Sequence, residues 1–164
     1  GIEIDGAGAL RYMEHRGKPI SMRPPEQEDH EEFFASALSK ANNVIHVSSS
    51  ELVTKDVIGR CREAARAFEN VFVIDSDNIS SGQGLVALEA ARMARAGIEA
   101  REIVSQLDRI KPKVRNSLIS DSLDYAVRFG NLPASVANFY KSFMMRPTIY
   151  MGKTGMRLDR KSVV

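Results

Sequence analysis

Two short apolar runs in this chain end in turns rich in hydroxyl groups. Val44-Ile45-His46-Val47 leads into Ser48-Ser49-Ser50. Val71-Phe72-Val73-Ile74 leads into Asp75-Ser76 and then Asn78-Ile79-Ser80-Ser81-Gly82-Gln83-Gly84. A brief apolar run bounded by small polar residues has the pattern of a buried strand, and helical periodicity follows each one. In open parallel sheets, ligands bind beyond the carboxyl ends of the strands. Helix N-termini there present free backbone N–H groups and partial positive charge, which attract anions. Serine hydroxyls add further hydrogen bonds. A single carboxylate or phosphate suits such a site, with Ser49, Ser50, Ser80, Ser81 and Gly82 around it. Serine is also a preferred N-cap, so Ser50 and Ser80 fit plain helix capping equally.

Other chemistries find less support. Gly82-x-Gly84 lacks the third glycine of a dinucleotide fingerprint, and no phosphate-binding loop with Gly-Lys-Ser/Thr is present. His15, His30 and His46 lie far apart, and none has a metal-ligand partner three or four residues on, so no metal and no cofactor is expected. His46 is the most notable, because a strand interior seldom leaves an imidazole fully solvated. Asp75 stands at a strand end, where it either caps the next turn or acts as an acid. A hydrolase or phosphotransferase built on Asp75 and nearby serines is the weakest reading, since no base–nucleophile spacing accompanies it. The single Cys61 cannot form an internal disulfide. It reads as a free thiol of a reducing cytoplasm, or as a thiol made reactive by Arg60 and Arg62.

The whole chain has 164 residues, 43% hydrophobic and 27% charged, the profile of a globular domain. A net charge of +2 is too small to point to nucleic acid. No apolar run approaches the roughly 18 residues of a membrane span, and no signal peptide opens the chain. A cytoplasmic protein is expected, and Gly1 reads as a boundary inside a longer one.

The elements that would carry these turns follow from periodicity. Helices are predicted over Asp5–Arg16, Glu26–Ala41, Leu52–Phe68, Ser80–Ala96 and Ala100–Ile110, with Gly97 as a C-terminal stop. Three prolines in Gly17–Pro25 make that segment an extended loop. Val114–Ser120 is predicted as a strand, Asp121–Phe129 as a short helix and Pro133–Phe143 as another. Arg146–Met151 and Met156–Asp159 read as a hairpin closed by residues 152–155. Alternating helices and strands predict an α/β fold with a mainly parallel sheet flanked by helices. A boundary is expected near residues 112–120, with residues 1–115 as the main α/β domain and 116–164 as part of a second, smaller one.

The central run resembles the signature of the DegV family: a strand ending in Asp75-Ser76, then Ser80-Ser81-Gly82-Gln83-Gly84, then a helix with Leu88-Glu89-Ala90-Ala91. Ser120–Tyr125 is similar to the family's Asp-x-Leu-Glu-Tyr-Leu segment, and Arg146-Pro147 to its Lys-Pro. Pro19–Pro24 resembles its Thr-Ser-Gln-Pro loop, and Ser48–Ser50 its serine pair. The resemblance implies a two-domain α/β protein that binds one long-chain fatty acid. Hydroxyls hold the carboxylate and the acyl chain lies in an apolar cavity. Ser21 would replace the family's threonine, and Ser49 or Ser50 would be the second hydroxyl. It also implies a binding protein rather than an enzyme; some members of the family present the fatty acid to a separate kinase.

There are departures. Leu52–Asp56 stands where the family has Leu-Ser-Gly-Thr-Tyr, and Arg128–Leu132 lacks the second arginine linked with partner contact. The first strand with its Thr-Asp-Ser-Thr motif is missing. A non-catalytic lipid-sensing or interaction module of a larger signalling protein is therefore the alternative. Met93, Met144, Met145, Met151 and Met156 are candidates to line an acyl cavity, since methionine adapts to irregular shapes.

Overall fold

A computed structural model describes residues 5–16, 23–54, 56–120, 123, 124, 127, 132–143, 145–153 and 155–163. In chain order the elements are α1 (Gly6–Arg16), α2 (Gln27–Leu38), β1 (Val44–Ser48), α3 (Val57–Ala65), β2 (Val71–Asp75), α4 (Ser80–Arg95) and α5 (Ala100–Ile110). A single 3-10 turn at Lys111–Lys113 then leads to β3 (Ser117–Ile119), α6 (Ala134–Ser142), β4 (Pro147–Gly152) and β5 (Gly155–Val163).

β1 and β2 pair in parallel, from Val44 opposite Val71 to Ser48 opposite Asp75. Successive strand residues point to opposite faces, and the two faces bury different cores. On one, Ile74 packs with Val86, Ala90 and Met93 of α4 and Ile103 and Leu107 of α5. On the other, Val71 packs with Phe34 of α2 and Cys61 and Ala64 of α3. Both strands therefore end at one level, with a helix layer on either side. Their turns emerge together at that rim.

β3, β4 and β5 form a separate antiparallel sheet in that order. Gly152 faces Gly155 across the β4–β5 turn. Gly155 has φ 104°, a conformation that glycine adopts without steric cost. Leu123, Ala137 and Ile149 form the core of this half. The fold is thus α/β: among the described residues, β1 and β2 pair in parallel and β3–β5 form an antiparallel sheet.

The largest local difference from the sequence pattern lies between β1 and α3. Helix was predicted from Leu52, yet α3 begins only at Val57. The carbonyl of Ser50 accepts the N–H groups of Val53 and Thr54, and also the Thr54 hydroxyl, which closes a turn. Asp56 then takes a left-handed backbone, φ 67°, and helix starts after it. The predicted helix at Asp121–Phe129 falls mostly outside the described residues; Asp124 and Val127 are helical.

Candidate functional site

The turns at the strand ends are locked to each other by backbone and side chain. Ser50 N–H donates to the Asn78 carbonyl at 2.8 Å, and Ser76 N–H donates to the Ser48 carbonyl at 3.1 Å. One Asp75 carboxylate oxygen accepts Glu51 N–H at 3.2 Å and the other accepts Asp77 N–H at 2.8 Å. Asp75 is therefore occupied in capping two turns. Lys111 Nζ donates to the Asp75 carbonyl at 3.1 Å and lies 3.1 Å from Asp108 and 3.6 Å from Asp77, so its charge is matched locally.

The serines take different roles at this rim. Ser50 is buried, and its Oγ accepts Leu52 N–H at 3.3 Å. Ser49 is half-buried; its hydroxyl donates to Gln83 Oε1 at 2.8 Å, while Gln83 Nε2 donates to the Val47 carbonyl at 3.0 Å. Ser80 and Ser81 are exposed at the start of α4. The Ser81 hydroxyl donates to Asn116 Oδ1 at 3.1 Å. Ser80 has φ 50° and Asp77 φ 54°, so two left-handed residues flank the turn into α4. Such conformations cost of order 1–3 kcal/mol each and persist only where the surroundings enforce them. Gly82 is buried beneath this turn. Ser49, Ser50, Ser80, Ser81 and Gly82 thus gather at one rim, while Ser21 lies outside the described residues.

Gln83 and Asn116 are residues at this rim that sequence reasoning passed over, as it did Lys111. Gln83 stood inside the recognised motif, one turn into a helix where a polar residue looks like surface. Asn116 carried no signal at all. Its Nδ2 donates to the Ile79 carbonyl at 2.7 Å, its Oδ1 takes Ser81, and its own carbonyl accepts Met151 N–H at 3.2 Å. It thereby joins the start of α4 to β4.

A Cβ placed on Gly155 would lie 3.8 Å from the Leu52 carbonyl oxygen, so the β4–β5 turn rests against the turn that follows Ser50. Against the same hairpin, a cavity of about 890 Å³ has a mainly apolar wall of Val136, Phe139, Tyr140, Met145, Met156 and Leu158, with Arg157 and Asp159 also lining it. Of the methionines expected there, Met145 and Met156 line it, whereas Met93 packs in the core under α4 and α5. Met144 lies outside the described residues.

The model of the DegV family, described as uncharacterised proteins, matches residues 1–161. The chain belongs to the DegV family. A DegV domain-containing protein of Deinococcus radiodurans is 32% identical over 145 residues, covering 87% of this chain and 50% of its own length. Another, from Caldanaerobacter subterraneus, is 36% identical over 83 residues, 51% of this chain and 27% of that protein. Among solved structures, a DegV family protein of Thermus thermophilus described as fatty-acid-binding matches with TM-score 0.82 at 18% identity, over 99% of this chain and 57% of its own. A stearic acid-binding protein of Eubacterium ventriosum matches with TM-score 0.78 at 21% identity, over 97% and 56%. The fold is that of DegV proteins. The chain spans about half or less of the length of these curated relatives. Among the described residues, no helix is long and apolar enough to cross a membrane, and no group of three or more His, Cys, Asp or Glu side chains is placed to hold a metal.

Proposed function

We propose that this chain binds a fatty acid or another single-chain acyl lipid, with the carboxyl head at the β1–β2 rim and the tail in the apolar cavity. One observation carries the reading. The β4–β5 turn comes close to Leu52 beside the serine rim, where a Cβ on Gly155 would meet the Leu52 carbonyl, and the next residue, Met156, lines the cavity. The hairpin thus stands between the serine rim and the cavity, and an amphiphile with its head at one and its tail in the other would run past it. Family membership supports the same reading, because solved DegV relatives carry descriptions as fatty-acid binders.

The physics divides the work between the halves. Each buried CH₂ contributes roughly 0.8 kcal/mol, so a long tail supplies most of the affinity. The rim hydroxyls and the N–H groups at the start of α4 fix the direction in which the lipid lies. Ser49 is the rim hydroxyl best placed for the head, being half-buried where Ser50 is enclosed. The protein acts as a carrier in this reading, and presentation of the lipid to a separate kinase belongs to the same proposal.

Mass spectrometry of the denatured purified protein tests the binding. A co-purified fatty acid, at up to one per chain, is the expected result. Protein that is repeatedly empty and also fails to bind added fatty acid would overturn the proposal. Incubation of the loaded protein with a fatty acid kinase and ATP tests the carrier role by formation of acyl phosphate.

A further inference from the structure

The only hydroxyl proton of Ser49 is already given to Gln83. The Gln83 amide is held in turn by Val47, whose carbonyl accepts Nε2 at 3.0 Å. In β1, Val44 N–H reaches the Asn70 carbonyl and the Ser48 carbonyl accepts Ser76 N–H, so the backbones of Val44, His46 and Ser48 face β2. The Val47 carbonyl therefore points to the other edge of β1, where Gln83 satisfies it. Turning the amide over would set two carbonyl oxygens against each other and leave Val47 unpaired, which costs more than the bond itself is worth.

A serine hydroxyl offers one proton and two lone pairs. With the proton on Gln83 Oε1, Ser49 presents lone pairs to anything that approaches. We infer that Gln83 is a positioning residue that holds Ser49 Oγ as a hydrogen-bond acceptor, so that the rim selects a head group bearing an O–H, such as a protonated carboxylic acid or an alcohol, over an ionised carboxylate. The inference rests on the acyl-lipid reading above. A protonated acid can turn its carbonyl oxygen to the N–H groups at the start of α4 and give its O–H to Ser49 Oγ. An ionised carboxylate brings no proton. It must draw the Ser49 proton away from Gln83 and leave Oε1 without a donor in a half-buried place. The apolar surroundings act in the same direction, since desolvation favours the neutral acid.

The full chain, wild type and Gln83→Met, is titrated calorimetrically with decanoic acid and with 1-decanol between pH 5 and pH 8. For wild type, affinity for total decanoic acid is expected to fall as pH rises, while affinity for decanol stays level. Gln83→Met frees the Ser49 proton. It should raise affinity for decanoate relative to decanol at pH 8 by about tenfold and flatten the acid's pH profile. A purely structural role for Gln83 would weaken both guests alike and leave their ratio unchanged. That unchanged ratio, in a variant whose wild type binds both guests, overturns this inference alone. Wild type that binds neither guest overturns the acyl-lipid reading, and this inference with it. Ser49→Ala supplies a second variant should Gln83→Met not fold. Without the acceptor, the preference for the protonated acid must vanish, and a retained pH profile counts against the assignment.

Discussion

Gly82 lies so close to Asn78 that a Cβ on the glycine would fall 2.5 Å from Asn78 Oδ1. The same Cβ would meet Asn116 Cβ at 2.9 Å. Asn78 is itself buried, and its Oδ1 has no hydrogen-bond partner among the described residues, while its Nδ2 donates to the Ser76 carbonyl at 3.2 Å. The glycine is thus the gap through which α4 approaches both turns.

Gly82→Ala should therefore destabilise the protein by about 1–3 kcal/mol, the usual cost of overpacking. Gly84, two residues on, has nothing within 4 Å of the corresponding position. Gly84→Ala should be neutral, or stabilising by up to about 1 kcal/mol through helix propensity. Urea denaturation of the two variants beside wild type measures both. Equal effects would remove the close approach as the reason for Gly82.

The two glycines also mark how far the sequence could be read. Apolar runs of four residues between polar clusters gave β1 and β2, because a strand buried on both faces has that pattern. The turns that follow them were legible for the same reason. What periodicity cannot give is contact between segments distant in the chain. Ser49 and Gln83 are 34 residues apart, and Asn116 reaches Ser81 across 35. Neither pairing leaves a local trace. The late start of α3 was equally hidden, because the apolar spacing of Leu52 and Val53 fits a helix as well as it fits the turn that Ser50 closes.

Asn116→Ala keeps the Cβ but removes both side-chain bonds, to Ile79 and from Ser81. The Ile79 carbonyl keeps the N–H of Gly82 as a donor at 3.0 Å, so losing the Asn116 bond should cost about 0.5–1.5 kcal/mol. Hydrogen exchange should rise most at the start of α4, where both lost side-chain bonds end, while the backbone bond to Met151 of β4 is kept. Uniform acceleration across all elements would argue against a joint at this residue.

Cys61 is fully buried between α2 and β2, with its Sγ 3.4 Å from His30 Nδ1. Burial pushes its pKa up to about 11. The flanking arginines do not activate it: Arg60 pairs with Glu26, and Arg62 lies 4.0 Å from Glu51. Native protein at pH 8 should leave a disulfide reagent such as dithionitrobenzoate almost unreacted, since the thiolate is the nucleophile. Denatured protein should react at the rate of a free thiol. Rapid labelling of the folded chain would contradict this account.

His46 carries the pH dependence. Its ring stands edge-on to Phe34 at 5.6 Å and to His30 at 6.1 Å, measured between ring centroids. Burial first, and the neighbouring His30 second, hold its pKa below the ordinary 6.5. The unfolded chain takes up a proton as the pH falls through 6.5, while the folded protein resists doing so. Stability should therefore be full above about pH 7 and decline from pH 6.5 down to the lowered folded value. His46→Phe keeps an aromatic ring in the site and removes the titration. Thermal melts from pH 5 to pH 8 should show a smaller acid loss for this variant than for wild type, with the difference confined to the region below pH 6.5. Parallel curves for the two proteins would assign the acid sensitivity to another group.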